Sequence, residues 1–267
     1  FPSNGALWRT WTAPYGLAWG VSDLAFSPSG STLASASDIR FERLTQYGGD
    51  AIVWNPTNGQ RVETLSRDGS SVIYPPNGAG VMAGSYFFNL NGELLDQLDI
   101  RPNWGEPAGM QFSPDGSMLA VAYPGSELIL FGASDLERIV TLVGHTDAVN
   151  AATFSPDGTI LASGSDDRTI RLWRVSDHTP LRTLRGHTGG VTGLAFTPDG
   201  AMLISSSTDR TIRLWRVGDG ALLHTISAHT FDIIAVAISP DATLIYSASR
   251  DGTVRVWGLF VSWAPQR

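Results

Sequence analysis

Three histidines stand in the same local sequence and are the side chains of this chain best suited to chemistry. His145, His187 and His229 follow one another at steps of 42 residues. Imidazole is the commonest metal ligand and the usual proton shuttle near neutral pH. Because each histidine belongs to a different copy of a repeat, each is expected within its own sheet. The three therefore need not converge on one ion.

Serines and an aspartate follow each histidine, so that every copy has the composition of a nucleophilic catalytic triad. No Gly-x-Ser-x-Gly nucleophile elbow accompanies them, and an enzyme would not need three copies of its active site. A structural role fits better, because a buried imidazole, a hydroxyl and a carboxylate can satisfy one another's hydrogen bonds. We predict that none of these residues is catalytic.

Metal and cofactor sites lack their sequence signatures. The chain has no cysteine, which excludes thiolate metal ligands, disulfides and cysteine nucleophiles. The pair Asp166-Asp167 does not have the alternating oxygen ligands of a calcium loop. No glycine-rich phosphate loop follows a strand and opens a helix. We expect neither a bound metal nor a cofactor.

A repeat of 42 residues organises the second half of the chain. Trp173, Trp215 and Trp257 recur at this step, and the stretch from Asp167 to Trp173 returns residue for residue from Asp209 to Trp215. A period of this length is typical of propellers and solenoids. A turn sequence precedes the tryptophan in each copy, as Ser155-Pro156-Asp157-Gly158, Thr197-Pro198-Asp199-Gly200 and Ser239-Pro240-Asp241-Ala242.

Three weaker copies of this turn lie upstream, at residues 27–30, 75–78 and 113–116, so that the chain contains six units. Trp54 closes the first unit. Phe88 and Phe131 stand where the second and third units would have tryptophan.

We call the three clear copies, which contain Trp173, Trp215 and Trp257, the strong units. Each consists of short segments in which apolar and polar residues alternate, separated by turn residues, which predicts four antiparallel strands. In the first strong unit these segments are 149–154, 160–165, 169–173 and 181–184. One such sheet cannot bury both of its faces, whereas sheets packed radially cover one another. We therefore predict an all-β fold, a β-propeller of four-stranded antiparallel blades.

The order Gly-His, Ser-Pro-Asp-Gly, a serine-rich strand and Asp-x-Thr-Ile-Arg-Leu-Trp resembles the WD-repeat (WD40-type) β-propeller family. The resemblance is clear over residues 138–257 and degenerate over residues 6–137, and it implies a single propeller domain over 1–267. Six repeat units favour six blades, with Ala6–Trp11 completing the last one. A seven-bladed ring, with one blade in sequence missing from this chain, is the alternative. The aspartate that follows the family's tryptophan is replaced by Arg174, Arg216 and Gly258.

By resemblance, each histidine joins a structural hydrogen-bonded set with a serine, the aspartate and the tryptophan of its own blade. Two serines lie on the same face of each strand by the period of two, so either one is a candidate. The three sets are His145, Ser163 or Ser165, Asp167 and Trp173; His187, Ser205 or Ser207, Asp209 and Trp215; and His229, Ser247 or Ser249, Asp251 and Trp257.

The same resemblance places three positions per blade on a recognition face, two at the start of the innermost strand and one just before the aspartate. Trp19 and Trp104 of the first and third blades come close to this face, and an insert in the first unit adds Phe41 and Tyr47. Large aromatic side chains supply much of the energy of interfaces, so we expect binding to centre there. The alternative is that Trp19 and Trp104 fill blade interiors. The candidates in the strong blades are Asn150, Asp166, Thr192, Thr208, Asp232 and Arg250.

Charge and hydropathy narrow the choice of partners. The chain has 18 basic residues, all arginine, and 25 acidic residues, a net charge of −7, which argues against nucleic acid. No apolar run is long enough to insert into a bilayer. Arg171, Arg213 and Arg255 alternate with apolar residues and indicate a polar sheet face, with an acidic partner as the alternative. The compartment stays open between cytoplasm and export after cleavage of a leader, because residue 1 is Phe rather than Met.

These observations favour a non-catalytic scaffold that binds a protein or peptide on one propeller face. A structural subunit or domain of a larger assembly is the first alternative. The least favoured alternative is a propeller enzyme or small-ligand binder that uses the central channel, since such a site would need acids, histidines or arginines from several innermost strands. Those strands offer Ala148, Asn150, Gly190, Thr192, Asp232 and Ile234 instead.

Overall fold

A computed structural model describes residues 21–37, 51–65, 71–98 and 107–259. These residues form β-strands and no helix, so the all-β prediction is confirmed. Accordingly, this part of the chain contains no helix long and apolar enough to cross a bilayer. The strands pair into six antiparallel sheets, of which five have four strands and one has three. We number the sheets 1 to 6 in chain order.

The chain divides into two compact units, Phe1–Ile100 and Arg101–Arg267. The first unit contains sheets 1 and 2, and within each sheet every strand pairs with the next strand in sequence. Sheet 1 consists of β1 (Val21–Phe26), β2 (Leu33–Ser37), β3 (Ala51–Trp54) and β4 (Arg61–Leu65), and sheet 2 of β5 (Val72–Ile73), β6 (Val81–Ala83), β7 (Tyr86–Phe88) and β8 (Leu94–Gln97).

The second unit contains sheets 3 to 6, whose strands pair in the same sequential order. Sheet 3 consists of β9 (Gly109–Phe112), β10 (Met118–Ala122), β11 (Leu128–Gly132) and β12 (Arg138–Leu142), and sheet 4 of β13 (Val149–Phe154), β14 (Ile160–Ser165), β15 (Thr169–Arg174) and β16 (Pro180–Arg185). Sheet 5 consists of β17 (Val191–Phe196), β18 (Met202–Ser207), β19 (Thr211–Arg216) and β20 (Leu222–Ser227), and sheet 6 of β21 (Ile233–Ile238), β22 (Leu244–Ser249) and β23 (Val254–Gly258).

A Pro-Asp-Gly turn closes the first hairpin of sheets 4 and 5, and Pro-Asp-Ala takes its place in sheet 6. In sheet 4 the hydroxyl of Ser155 donates to Asp157 Oδ1 at 2.6 Å, and the backbone N–H of Thr159 donates to the same oxygen at 3.0 Å. Gly158 has a φ of 71°, the left-handed conformation that glycine adopts without strain. The turn residues thus fix the register of β13 against β14.

The pairing register places the residues that replace tryptophan in the weaker repeats at the same position in their sheets as the tryptophans. Trp173 lies opposite Leu161, and Phe131 lies opposite Leu119 in the corresponding place of sheet 3. Within the first unit, Trp54 and Phe88 take the same place in their sheets. An aromatic ring therefore fills this position in all four of these sheets.

Apolar side chains pack between consecutive sheets and form the core. Ile170 and Leu172 of sheet 4 pack with Phe196 and Trp215 of sheet 5. Equivalent clusters join sheet 3 to sheet 4, sheet 5 to sheet 6 and, within the first unit, sheet 1 to sheet 2. Removal of this apolar surface from water is the main favourable term in folding.

Sheet 6 differs from the others because its third strand, β23, has no fourth strand beside it among the described residues. The segment Ala6–Trp11, predicted to fill this place, lies outside the described ranges. One face of sheet 6 exposes Val254 at 69% and Val256 at 55%, whereas the equivalent Ile212 and Leu214 of sheet 5 are buried.

Candidate functional site

A continuous chain of hydrogen bonds runs through sheet 4 from tryptophan to aspartate. Trp173 Nε1 donates to Ser163 Oγ at 2.9 Å, and Ser163 Oγ lies 2.8 Å from His145 Nε2. His145 Nδ1 lies 2.8 Å from Asp167 Oδ2. Because an ionised carboxylate only accepts, Nδ1 carries the proton and donates to Asp167. Burial favours the neutral imidazole, so Nε2 accepts from the hydroxyl of Ser163.

The same chain recurs in sheets 5 and 6 with nearly identical distances. His187 lies 2.8 Å from both Asp209 and Ser205, and Trp215 donates to Ser205 at 2.8 Å. In sheet 6, His229 lies 2.9 Å from Asp251 and 2.7 Å from Ser247, to which Trp257 donates at 3.0 Å.

The second serine of each strand serves a different purpose. Ser165 Oγ donates to the carbonyl of Asp147 at 3.0 Å and accepts from the backbone N–H of Asp167 at 3.0 Å. Ser249 makes the corresponding bonds in sheet 6, and Ser207 accepts from the backbone of Asp209. These serines orient the turn that carries the aspartate and are not links in the chain from tryptophan to aspartate.

A threonine two residues after each aspartate belongs to the set, although the sequence analysis did not include it. Thr169 Oγ1 and N–H both donate to Asp167 Oδ1, at 2.6 and 2.9 Å. Thr211 and Thr253 do the same for their own aspartates. The signal was present in the sequence, because the spacing Asp-x-Thr recurs in all three copies.

The electrostatics of the set keep the carboxylate charged and the imidazole neutral. Burial raises the pKa of the Asp167 carboxyl, but hydrogen bonds from Thr169 and His145 outweigh it and bring the pKa to about 2. Burial lowers the pKa of His145 below its usual value, because a charged imidazole would lose its hydration.

The arrangement has the hydrogen bonds of a catalytic triad, but its hydroxyl is closed off from any substrate. Ser163 and Ser205 are 0% exposed, and Ser247 is 1% exposed. Each of these hydroxyls is held between an indole N–H and an imidazole. A nucleophile must reach the reacting carbon of its substrate, and these oxygens cannot. In the described ranges, no three His, Asp or Glu side chains are grouped so as to hold a metal ion.

The predicted recognition positions of sheets 4, 5 and 6 lie side by side within each sheet. The backbone N–H of Asp166 donates to the carbonyl of Ala148 at 2.9 Å, which joins the turn before the tryptophan strand to the start of β13. Thr208 donates to Gly190, and Arg250 to Asp232, at the same distance. We call these three adjoining pairs the recognition end.

Two of the predicted recognition residues make hydrogen bonds from one sheet to the next. Asn150 Nδ2 donates to Asp166 Oδ1 at 2.7 Å and to the carbonyl of Val191 in sheet 5 at 3.2 Å. Thr192 Oγ1 donates to the carbonyl of Ile233 in sheet 6 at 2.6 Å. Both side chains therefore tie one innermost strand to the next. The aromatic candidates Trp19, Phe41, Tyr47 and Trp104 lie outside the described residues.

Comparison with known families agrees with the repeat. The family model WD40, described as WD domain, G-beta repeat, matches residues 9–38, 136–174, 178–216 and 220–258, which together make up more than half of the chain. No curated protein matches the chain significantly. By its repeats, the chain belongs to the WD40 family.

Proposed function

We propose that this WD40 chain is a non-catalytic scaffold that binds a protein or peptide at the recognition end. The observation that carries the proposal is the threefold recurrence of one backbone contact, which joins Asp166 to Ala148, Thr208 to Gly190 and Arg250 to Asp232. Side chains at fixed positions on a rigid framework favour recognition. The net charge of −7 supports a protein partner rather than nucleic acid.

The closed serines support the non-catalytic part of the proposal. An enzyme that used these sets would need the buried hydroxyl of Ser163 to leave its indole donor and reach a substrate while it keeps the imidazole as its base. Strong, fully satisfied buried networks stabilise a fold and resist such opening. Binding, in contrast, needs no movement of the set.

Site-specific crosslinking tests the location of the partner. A photoreactive residue placed at Thr208 or Arg250 of the full chain is expected to crosslink the partner in its native cells. The same residue at Asp157 or Asp199, in turns at the opposite ends of sheets 4 and 5, serves as the matched control. Equal crosslinking from both ends would contradict the proposal.

Within this function, we propose that the aromatic residues of the first and third repeats contribute most of the binding energy. Trp19→Ala, Phe41→Ala, Tyr47→Ala and Trp104→Ala are expected to weaken binding more than Asp232→Ala and Arg250→Ala, because aromatic side chains bury large areas at little entropic cost. The opposite order of effects would place the interface on the strong repeats.

The exposed face of sheet 6 supports the second candidate function, a structural subunit of a larger assembly. Tyr246, Val254 and Val256 are exposed there, whereas the equivalent residues of sheets 4 and 5 are buried against another sheet. An apolar surface of this kind is typical of an interface. Native mass spectrometry of the purified chain tests this candidate, since the scaffold alone requires no stable assembly.

A single propeller domain over residues 1–267 with six blades remains our expectation, with seven blades as the alternative. Six repeats and six sheets support the smaller number. Blades counted in averaged electron micrographs of the full chain test it.

A further inference from the structure

Two arginines of the second unit, one in sheet 4 and one in sheet 5, have a buried N–H group without a hydrogen-bond partner. Arg171 in β15 and Arg213 in β19 lie on the same strand face as Trp173 and Trp215, with one residue between arginine and tryptophan. Both side chains are partly buried. The Nε–H of each arginine is buried and has no hydrogen-bond partner. A buried donor without a partner is costly unless something else compensates it.

Neither guanidinium has a counter-ion among the described residues. Other arginines of the same strands do, because Arg174 pairs with Asp177 and Arg216 with Asp219, each at 2.8 Å. The carboxylate nearest in sequence to Arg171 is Asp167, and both of its oxygens are taken. Oδ1 accepts from Thr169, and Oδ2 accepts from His145 and from the backbone of Thr146.

A glycine makes room for each of these guanidinium groups. A Cβ atom on Gly144 would lie 2.7 Å from Arg171 Nη1 and 3.1 Å from the ring of Trp173. On Gly186 it would lie 2.5 Å from Arg213 Nη1 and 3.1 Å from the ring of Trp215. The planar cation therefore rests on bare backbone beside an indole, a placement that favours guanidinium over ammonium.

The third copy of the repeat provides a natural contrast, because alanine replaces the glycine. Arg255 Nη1 donates to the carbonyl of Ala228 at 2.9 Å, and Nη2 lies 3.9 Å from Asp251 Oδ2. The side chain of Arg255 is 42% exposed. Arg255 thus has protein partners in this copy, in a sheet whose third strand also has no fourth strand beside it among the described residues.

We propose that Arg171 and Arg213 each bind an oxyanion, a carboxylate or phosphate oxygen, and that Arg255 does not. A guanidinium that is partly removed from water and already held in place forms stronger charge-assisted hydrogen bonds than a free surface arginine. It also loses little side-chain entropy when the anion arrives. The anion is either free in solution or carried by an acidic segment of a bound protein. This site stands apart from the recognition end and does not depend on it.

Arginine Nε–H resonances of the full chain test the proposal directly. Burial should protect the Nε–H groups of Arg171 and Arg213 from exchange with water, so that both are visible by NMR. Titration with inorganic phosphate, against sodium chloride at equal ionic strength to match screening, is expected to shift these two resonances and not that of Arg216. Burial is the main cause that lowers the pKa of His145, and the charge of Arg171 adds to it, so bound phosphate should raise that pKa.

Exchange of glycine and alanine between copies provides matched variants. Gly186→Ala is expected to abolish the phosphate response of Arg213 and leave that of Arg171. Ala228→Gly is expected to create a response at Arg255. Arg171→Gln, which does not alter the backbone, keeps the test valid if Gly186→Ala fails to fold, because it should abolish the phosphate-induced rise in the pKa of His145 and leave the response of Arg213.

A second probe, an acetylated hexaglutamate peptide, distinguishes an anion that is free in solution from one that an acidic protein segment carries. A response to phosphate alone would identify free phosphate or a phosphorylated partner, whereas a response to both probes would identify any acidic partner. The proposal is overturned if neither probe shifts the two resonances, if Gly186→Ala leaves the response of Arg213 unchanged, or if phosphate still raises the pKa of His145 in Arg171→Gln.

Discussion

The buried histidines of this chain hold two other groups in place, and their removal should show this as lost stability. Replacing His187 by Ala leaves the hydroxyl of Ser205 without its imidazole acceptor and removes one of the donors to the carboxylate of Asp209. We expect a loss of about 1–3 kcal/mol in the free energy of unfolding, measured by urea denaturation. His145→Ala should behave alike.

His224→Ala is the matched control, because His224 is exposed in β20 and the change removes the same atoms. Exposed substitutions usually stay within about 0.5 kcal/mol. An equal loss for His187→Ala and His224→Ala would show that the set contributes nothing.

The protonation of the set makes stability depend on pH. The pKa of His145 is lower in the folded chain than its ordinary value of 6.5, so below that pH the unfolded chain binds protons more readily and stability falls. The pKa of Asp167 is about 2 when folded against 3.8 when unfolded, so a second loss follows between pH 3.8 and 2.

Urea midpoints measured from pH 8 down to about pH 2 test both steps, whose limits are set by the ordinary pKa values of His and Asp. His145→Gln should make the profile flatter just below pH 6.5, and Asp167→Asn should flatten the step at lower pH. A profile of His145→Gln parallel to that of the original chain would contradict this assignment.

The members of the site could be named from the repeat, but their exact connections could not. Ser163 and Ser165 share one strand face, and the period of two does not separate them. Cross-strand distance does, since the indole of Trp173 reaches only Ser163 while Ser165 contacts the turn. The unpaired state of Arg171 was not visible either, because it depends on which carboxylate oxygens other donors occupy.

At the level of turns, the third copy has Ala242 where the first two have glycine, and its backbone is strained there. Ala242 has a φ of 57° where Gly158 and Gly200 have 71° and 68°. A left-handed conformation costs a residue with a Cβ atom roughly 1–2 kcal/mol. Ala242→Gly should therefore stabilise sheet 6, by about 1 kcal/mol after the greater flexibility of unfolded glycine is taken into account.

Gly158→Ala is the reciprocal change and should destabilise by a similar amount. The new Cβ would make only an ordinary contact, 3.7 Å from Pro114 Cδ, so that backbone conformation alone changes. Thermal unfolding of both variants checks the pair. A destabilised Ala242→Gly would refute the interpretation.

Strands with intact repeat sequence could be located closely. The predicted segments 149–154 and 160–165 coincide with β13 and β14, because alternation and the Pro-Asp-Gly turn both mark their ends. Sheet 2 was harder to delimit, since β5 has two residues and β6 three. Segments this short carry no measurable alternation.

At the level of the whole molecule, we predict that the apolar face of sheet 6 is covered in solution. Val254 is 69% exposed in a position where Ile170 and Ile212 are buried. Complete burial of such a side chain contributes about 1.5–3 kcal/mol. Val254→Asp should therefore lower the urea midpoint much more than Val62→Asp, a change at a valine that is 49% exposed in the edge strand β4.

Equal effects of the two substitutions would mean that the face of sheet 6 meets water. The sequence could indicate that this face is apolar, because Val254 and Val256 alternate with Arg255. It could not indicate what covers the face, because a local sequence pattern does not identify the distant segment or second chain that packs against it.

The repeat in the sequence and the sheet in the structure are out of phase by one strand. The match over 136–174 begins just before β12, the outer strand of sheet 3, and ends in β15 of sheet 4. The next match, over 178–216, begins just before β16. A backbone break between residues 174 and 178 would leave sheet 4 with a fourth strand that is covalently part of the following segment. Such a strand can be replaced by the identical strand of another molecule, which is the condition for domain swapping. Two molecules nicked at this junction would thus exchange their downstream fragments, each carrying β16 with it, while the pairing of β15 with β16 is kept in both.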